Sequence, residues 1–172
     1  MTASTGRGGD WSVTKRTELS EINPSRVGRL NSPVILRNFI FSQDYRNVYE
    51  LWENAGEGIH VRRSDEAEEI QKKLERDADL FLVAEVDGQI VGSVLGGFDG
   101  RRGMMYHLAV ASEFRQQGIG ALLMDELERR LRAKGCIRYY LLVTQDNVNA
   151  IRFYEQRGWV RMDLYAYGKD LV

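Results

Sequence analysis

The sequence predicts an α/β fold of the α+β type, in which a mixed but mostly antiparallel sheet is flanked by about four helices. Two β-rich runs joined by Asp87-Gly88 predict a hairpin, because this dipeptide favours the two-residue type I′ turn. A third β-rich run, Met104 to Val110, extends the antiparallel part of the sheet. The chain continues as a helix and a further strand, Ile137 to Thr144, and this strand, helix, strand order favours parallel pairing.

The first half of the chain contributes the opening elements of this fold. Residues 1–32 mix Gly, Ser, Thr and charge without a sustained period, so we interpret them as a flexible N-terminal extension and residues 33–172 as a single domain. A short strand, Val34 to Arg37, precedes a helix in which Ser42 can act as the N-cap. A second, largely polar helix runs from Ser64 to about Arg76.

The second half contributes the remaining strands and helices. The hairpin consists of Leu80 to Val86 and Gln89 to Leu95. A helix with its leucines on one stripe follows the third strand and ends at Gly135. A shorter helix covers Ala150 to Arg157, and the aromatic-rich segment Trp159 to Leu171 is interpreted as another strand pair or one bulged strand.

Composition and charge argue against several classes of function. The 172 residues fit one domain, and therefore one active site. The formal net charge of −1, with acids and bases interspersed, disfavours binding to nucleic acid or to a membrane. Cys136 is the single cysteine, so no internal disulfide is expected and a reducing cytoplasm is the natural compartment. His60 and His107 stand far apart without a ligand motif, so no metal site is expected.

The segment between the third strand and the helix after it carries the strongest functional signal. It reads Arg115-Gln116-Gln117-Gly118-Ile119-Gly120. The unpaired N–H groups and the positive dipole end of a helix N-terminus suit a pyrophosphate, so we interpret the turn from Gln116 to Ala121 as a diphosphate site. The dinucleotide pattern would need glycine at Leu123, and the P-loop ending is missing. A tight strand-to-helix turn is the alternative interpretation of the two glycines.

This segment resembles the R/Q-x-x-G-x-G/A signature of the GCN5-related N-acetyltransferases (GNAT). Leu108-Ala109-Val110 before it resembles the central strand of that family. Asn147 to Trp159 of this chain is similar to a later segment of that family, which reads N-x-x-A-x-x-F-Y-E-x-x-G-F/W. The resemblance covers roughly Val34 to Leu171 and extends to small bacterial members whose acceptor is unknown. It implies a twisted central sheet of six to seven strands that splays between its fourth and fifth strands.

The resemblance implies that acetyl-coenzyme A is the co-substrate and lies in the gap where the strand ending at Val110 parts from the next strand. In that family the pantetheine arm pairs like an extra strand, and the amide at the Val110 position polarises the thioester carbonyl as an oxyanion hole does. No metal is expected to take part. The residues expected to contact the coenzyme are Leu108, Ala109, Val110, Arg115, Gln116, Gln117, Gly118, Ile119, Gly120, Ala121, Asn147, Ala150 and Tyr154.

Tyr154 and Tyr106 are the predicted catalytic residues for direct transfer in a ternary complex. The phenol of Tyr154 stays protonated at neutral pH and can donate to the leaving thiolate, whose conjugate acid has a pKa of about 8.5. The attacking amine must first lose a proton, but Met104 and Met105 stand where family members often carry an acid or a histidine. Tyr106, at the end of a water chain, is the preferred acceptor of that proton and His107 the alternative. Strand alternation is expected to place only one of these two side chains at the cleft.

The acceptor is expected to be a primary amine, on a small molecule or on a protein, and the sequence does not define it further. Trp52, His60, Arg62 and Arg63 lie in the region that shapes the acceptor pocket in the resembled family. Two other classes stay open: a non-catalytic acyl-coenzyme A sensor or partner-binding module on the same fold, and a nucleic-acid-binding domain, which the near-zero charge disfavours. A homodimer could form through the aromatic tail from Trp159 to Tyr167.

Overall fold

Six strands form one sheet whose spatial order follows the chain. The computed structural model describes residues 20–21, 30, 32–56 and 58–171. From one edge to the other, the strands are β1 (Ser20–Glu21), β2 (Ile35–Asn38), β3 (Phe81–Val86), β4 (Gln89–Phe98), β5 (Gly103–Val110) and β6 (Tyr139–Leu141). Neighbouring strands are antiparallel except β5 and β6, which are parallel. The sheet is therefore mixed and mostly antiparallel, as predicted, and five strands make up its body because β1 has only two residues.

Four α-helices in the described ranges cover the two faces of this sheet. They are α1 (Phe41–Glu53), α2 (Ala67–Asp77), α3 (Ile119–Ala133) and α4 (Val148–Gln156). Side chains that alternate along β3 divide the interior into two cores, because Phe81 and Val83 pack with α1 and α2 while Leu82 and Ala84 pack with α3. None of the helices in the described ranges has the length and apolar character that crossing a membrane requires.

The turn between β3 and β4 has the conformation that its sequence predicts. Asp87 has a φ of 50° and Gly88 a φ of 78°. Positive φ at both central residues is the requirement of a type I′ turn, so the predicted hairpin is confirmed.

A β-bulge interrupts the pairing of β4 with β5. Leu95 is opposite His107 and Gly96 is opposite Met105, so Tyr106 has no partner residue on β4. An extra residue of this kind breaks the alternation of side chains between the two faces of a strand. The bulge therefore changes which side chains of β5 share a face.

Strands β5 and β6 part soon after they begin to pair. Only Gly103 to Met105 are paired, and they lie opposite Tyr139 to Leu141. No strand in the described part of the chain pairs with this edge of β5 from Tyr106 to Val110. The predicted splay is thus confirmed, and it falls between the fifth and sixth strands because β1 is counted first.

Two elements predicted at the C-terminal end are wrong in extent. The strand predicted over residues 137–144 is reduced to β6, and Ile137, Leu142 and Val143 are exposed. The strand pair predicted over residues 159–171 is not formed, and these residues have no regular secondary structure. A high β propensity yields a strand only where a neighbouring strand offers a free edge, and β6 offers three residues.

Helix α1 is capped differently from the prediction. Ser42 lies inside the helix, and the preceding Ile40 donates its N–H to Oδ2 of Asp44 at 2.7 Å. Arg37 pairs with the same carboxylate at 2.6 Å. A buried acid in the first turn therefore satisfies the helix start, where a negative charge also offsets the dipole.

The predicted N-terminal extension, residues 1–32, lies mostly outside the described residues. Among the residues that are described, Ser20 and Glu21 form β1 and pair with Leu36 and Ile35 of β2. The boundary of the domain at residue 33 stays a prediction.

Candidate active site

The gap between β5 and β6 exposes backbone groups of β5. Ala111 donates its N–H to the carbonyl oxygen of Val91 in β4 at 2.9 Å. Because successive peptide groups along a strand point to opposite sides, the N–H groups of Val110 and Leu108 point away from β4, toward the gap. Both side chains lie on the α3 and α4 face of the sheet, whereas Ala109 is buried on the other face. The strand thus presents two amides to an extended partner.

The start of α3 fits an anionic group. Gly118 has a φ of 87° and Gln116 a φ of 60°, so the turn passes twice through the left-handed region. No side chain among the described residues caps this N-terminus, and its first turn contains no acidic residue. The first N–H groups of α3 and the positive end of its dipole are therefore available to a phosphate.

Arg115, at the start of the glycine turn, contacts the protein backbone. Its Nε donates to the carbonyl oxygen of Val110 at 3.0 Å, and its Nη2 donates to that of Ala55 at 2.7 Å. The guanidinium group thus ties the end of β5 to the segment that follows α1. Gln117 donates from Nε2 to the carbonyl oxygen of Glu113 at 3.0 Å, while its Oε1 is buried without a hydrogen-bond partner among the described residues.

The three residues that open α3 have different surroundings. Ile119 is a core residue, so only its backbone is available to a ligand. A Cβ atom at Gly120 would lie 3.6 Å from Cζ of Phe153 and 3.7 Å from Cγ2 of Val110, which are ordinary contacts. Ala121 is half-buried. The turn therefore offers mainly main-chain groups, as expected for recognition of a phosphate by amides.

Asn147 connects the start of α4 with the loop after α1. Its Oδ1 accepts the N–H of Ala150 at 3.1 Å, so the side chain caps the start of the helix. A Cβ atom at Gly58 would lie 2.0 Å from Nδ2 of Asn147, so the two segments are in close contact. The loop therefore contacts both sides of the gap, β5 through Ala55 and Arg115 and α4 through Gly58.

Tyr154 lies on the same face of the sheet as the gap-side strand residues. It packs against the core that Leu108 and Val110 also line, and its ring centroid lies 5.4 Å from that of Phe153 and 5.9 Å from that of Trp159. Burial raises the pKa of Tyr154 to about 12. The phenol is therefore protonated throughout the neutral range.

Tyr106 and His107 lie on one face of the sheet, which corrects the expectation that alternation separates them. Tyr106 is 53% exposed, and Nζ of Lys73 on α2 lies 5.8 Å from the centroid of its ring. His107 packs against Trp52 of α1, with ring centroids 4.7 Å apart. The bulge at Tyr106 is the physical reason. Burial, followed by the charge of Asp77, raises the pKa of Tyr106.

Asp65 is a residue of this region that sequence reasoning missed. Its Oδ1 lies 2.9 Å from Nε2 of His107, although the two residues are 42 positions apart in the chain. The sequence marked Asp65 only as part of a helix start, and no local pattern relates it to His107. The described residues contain no group of three or more His, Cys, Asp or Glu that could hold a metal ion.

The residues predicted near the acceptor pocket separate into two groups. Trp52 is a core residue whose Nε1 donates to Oγ of Ser93 at 2.9 Å, and its ring packs against that of His107. His60, Arg62 and Arg63 are exposed. The structure therefore brings only Trp52 into contact with the strand that borders the gap.

Comparison with known proteins agrees with this arrangement. The sequence model of the Acetyltransferase (GNAT) family matches residues 45–159, a range that contains β5, the glycine turn and α4. An acetyltransferase from Pectobacterium atrosepticum is 43% identical over 134 residues, which cover 77% of this chain and 94% of that protein.

Solved structures share the fold. Ard1 from Thermoplasma volcanium has a TM-score of 0.65 at 26% identity and covers 74% of this chain and 82% of its own. The PaiA N-acetyltransferase from Thermoplasma acidophilum, in complex with coenzyme A, has a TM-score of 0.66 at 20% identity. The match covers 77% of this chain and 92% of that protein. The second likeness shows the fold alone. Two findings show the family as well as the fold: the family model matches most of the chain, and the relative is 43% identical. This chain belongs to the Acetyltransferase (GNAT) family.

Proposed function

We propose that this protein transfers the acetyl group of acetyl-coenzyme A to a primary amine by direct attack of the amine on the thioester in a ternary complex. The observation that supports this best is the unpaired edge of β5 directly before the glycine turn. That edge offers N–H groups to an extended pantetheine arm, and the turn offers N–H groups to the diphosphate. The edge of β5 is followed directly by the glycine turn, just as the pantetheine arm is joined directly to the diphosphate in coenzyme A.

The residues that would hold coenzyme A act mainly through their backbone. Leu108 and Val110 would pair with the pantetheine arm, Gly118 to Ala121 would bind the diphosphate, and Asn147 and Ala150 would flank it at the start of α4. The N–H of Val110 is our proposed oxyanion donor, because negative charge grows on the carbonyl oxygen as the amine attacks. One such donor contributes about 3 kcal/mol to stabilising the transition state.

Tyr154 is the proposed general acid. The C–S bond breaks as the C–N bond forms, and the departing thiolate needs a proton. The raised pKa of Tyr154, about 12, keeps its proton in place until that moment. Tyr154 packs against the same core cluster as Leu108 and Val110, which supports a role for its phenol on the side of the gap where the pantetheine arm would lie.

Tyr106 is proposed to relay the proton that the amine loses. A phenol with a raised pKa is not itself a strong base at neutral pH, but its hydroxyl can accept one proton while it donates another. Its exposure allows contact with water, so the relay would run through solvent molecules in the acceptor site.

The acceptor is proposed only as a primary amine. Proteins of the same fold include an aminoglycoside N-acetyltransferase and a ribosomal-protein-alanine N-acetyltransferase, so this fold serves acceptors of very different size. A fold by itself does not select among them. Release of free thiol from acetyl-coenzyme A in the presence of polyamines, lysine peptides and aminoglycosides would identify the class.

Binding of the coenzyme is the first test. Calorimetry is expected to show affinity for coenzyme A and acetyl-coenzyme A, and Gly118→Val should weaken it at least tenfold, because a β-branched residue is strained at a φ of 87°. Undetectable affinity, or affinity that Gly118→Val leaves unchanged, would contradict the proposal. Tight binding without transfer to any amine would instead favour the acyl-coenzyme A sensor.

Tyr154→Phe tests the general acid. The variant is expected to lose about 100-fold in kcat, as removal of a positioned proton donor typically does, and to keep the affinity for acetyl-coenzyme A. Steady-state thiol release and calorimetry measure the two quantities. Tyr165→Phe is the matched control, because that tyrosine is 87% exposed in the C-terminal segment and should keep the parent rate. A Tyr154→Phe variant as active as the parent would remove Tyr154 from the mechanism.

A further inference from the structure

A carboxylate holds one nitrogen of His107 in a fixed orientation. Oδ1 of Asp65 lies 2.9 Å from Nε2 of the ring, and Oδ2 of the same carboxylate accepts the N–H of Arg62 at 2.8 Å. Asp65 is only 5% exposed. A buried carboxylate with both oxygens engaged cannot easily turn away from the ring, so the direction of the imidazole is set by the fold.

The same contact determines which ring nitrogen carries the proton in neutral His107. Burial alone would raise the pKa of Asp65, but the hydrogen bonds from His107 and from the N–H of Arg62 outweigh burial and lower it. Asp65 is therefore ionised at neutral pH and can only accept a hydrogen bond. Nε2 then carries the hydrogen, and the lone pair at Nδ1 is left to accept a proton.

The surroundings of the ring are those of a positioned base. The imidazole contacts Trp52 with an angle of 57° between the two ring planes, and Trp52 is itself held by a hydrogen bond to Ser93. The side chain keeps 16% of its surface exposed, so a small molecule or a water can still reach it. His107 belongs to the part of β5 that β6 leaves unpaired, and it precedes Val110 by three residues.

We propose that His107 is the catalytic base of this enzyme and that Asp65 is its positioning residue, an inference that rests on the proposed acetyl transfer. The alkylammonium acceptor loses one proton to Nδ1 of His107, which passes it to solvent through the water chain at Tyr106. The neutral nitrogen then forms the C–N bond, the C–S bond breaks, and the thiolate takes the proton of Tyr154. The second proton of the nitrogen returns to Tyr154 through solvent. The sum is ammonium plus thioester giving amide, thiol and one proton.

Acceptors of different basicity separate a base from a structural residue. Ethylamine is protonated at neutral pH and needs a base, whereas methoxyamine is already neutral and does not. His107→Gln, which keeps a polar side chain of similar size, should lose about 100-fold in the rate constant for ethylamine and less than about threefold for methoxyamine. Rates are taken from thiol release at pH 7 after subtraction of the reaction without protein, and calorimetry with acetyl-coenzyme A checks that the site is intact.

Asp65→Asn tests the positioning role, and Asp87→Asn is its matched control in the exposed β3 to β4 turn. Asp65→Asn should lower the rate constant about tenfold for ethylamine and little for methoxyamine. The reason is that the side-chain amide of asparagine no longer fixes the Nε2–H tautomer of His107. Side-chain nitrogen NMR of His107 should show that tautomer in the parent and in Asp87→Asn and a mixture in Asp65→Asn.

The outcomes distinguish this inference from the proposed function. If His107→Gln lowers the rate constants for ethylamine and methoxyamine equally, or does not lower that for ethylamine, His107 is not the base. Acetyl transfer would still stand in that case. Failure of the parent protein, with the coenzyme bound, to acetylate these two amines or any of the polyamines, lysine peptides and aminoglycosides would overturn acetyl transfer and the base together. A parent ring with its hydrogen on Nδ1 would overturn the role of Asp65.

Discussion

Gly118 and Gly120 stand two residues apart in the same turn, but the backbone requires glycine at only one of them. Gly118 has a φ of 87°, where a side chain costs about 1–2 kcal/mol. Gly120 is already in α3, and a Cβ atom there would make ordinary contacts with Phe153 and Val110. The family signature allows alanine at the second position, and the structure gives the reason.

Alanine substitutions at these two glycines are expected to act with opposite sign. Gly118→Ala should lower the free energy of unfolding by about 1–2 kcal/mol, because alanine is strained in the left-handed region. Gly120→Ala should leave it unchanged or raise it by up to about 1 kcal/mol, since alanine favours the helix. Urea unfolding of both variants measures the difference. Equal destabilisation by both would contradict the assignment of Gly118 to a strained conformation.

Asp65 makes the stability of the protein sensitive to acid. Its pKa in the folded protein is lowered from the usual 3.8, despite burial, by hydrogen bonds from His107 and from the N–H of Arg62. A group whose pKa is lower in the folded state stabilises the fold above its unfolded-state pKa, and this contribution is lost as the pH falls through the folded-state pKa. The sensitive window therefore lies below about pH 4.

Asp65→Asn is expected to lower the free energy of unfolding by about 2 kcal/mol at pH 7, as the loss of a hydrogen bond to a buried charged group does. The deficit should shrink as the pH falls below about 4, because the parent protein then loses the same charge. Urea unfolding at pH 7 and at about pH 3 compares the two proteins. A deficit that stays constant with pH would show that Asp65 acts through packing alone.

At the scale of elements, Arg115 links segments that are far apart in the chain. It joins the end of β5 with the segment after α1, which in turn contacts the start of α4 through Gly58 and Asn147. The sequence placed Arg115 among the coenzyme contacts, and that contact stays a prediction. The hydrogen bonds to Val110 and Ala55 add a structural role that no local pattern revealed.

Arg115→Lys should loosen the loop after α1, because a lysine cannot reproduce the two hydrogen bonds of the planar guanidinium group. Faster amide hydrogen exchange is expected in residues 58–62, measured by mass spectrometry of peptides. Arg46→Lys is the control, since that arginine is exposed on α1 and, within the described part of the chain, pairs only with Glu50. Unchanged exchange in Arg115→Lys would show that other contacts hold the loop.

Elements were predictable where a local signal specifies them. Asp87-Gly88 defines the hairpin by its turn chemistry. The stripe of leucines, with Gly135 after it, defines α3. The predictions failed where a partner strand decides the outcome. Residues 137–144 and 159–171 have strand-like sequences, but only three of those described residues, Tyr139 to Leu141, pair with β5 as a strand.

At the scale of the whole molecule, coenzyme binding should raise the thermal stability of the protein. A ligand present at 100 times its Kd and bound only by the folded state contributes about 2.7 kcal/mol. For a domain of this size that corresponds to a rise in Tm of roughly 5–10 °C. Differential scanning fluorimetry with acetyl-coenzyme A measures it, and NAD serves as the control because the turn lacks the dinucleotide pattern. An equal rise with NAD would contradict recognition of coenzyme A.

The sequence by itself determined the fold class, the family resemblance, the glycine turn and the helix that carries Tyr154, because each depends on residues close together in the chain. Only the tertiary structure decided the length of β6, the bulge that brings Tyr106 and His107 to one face, and the contact of His107 with Asp65. Turn chemistry and helical periodicity act over a few residues. Strand pairing and side-chain contacts across 42 positions depend instead on how the whole chain packs.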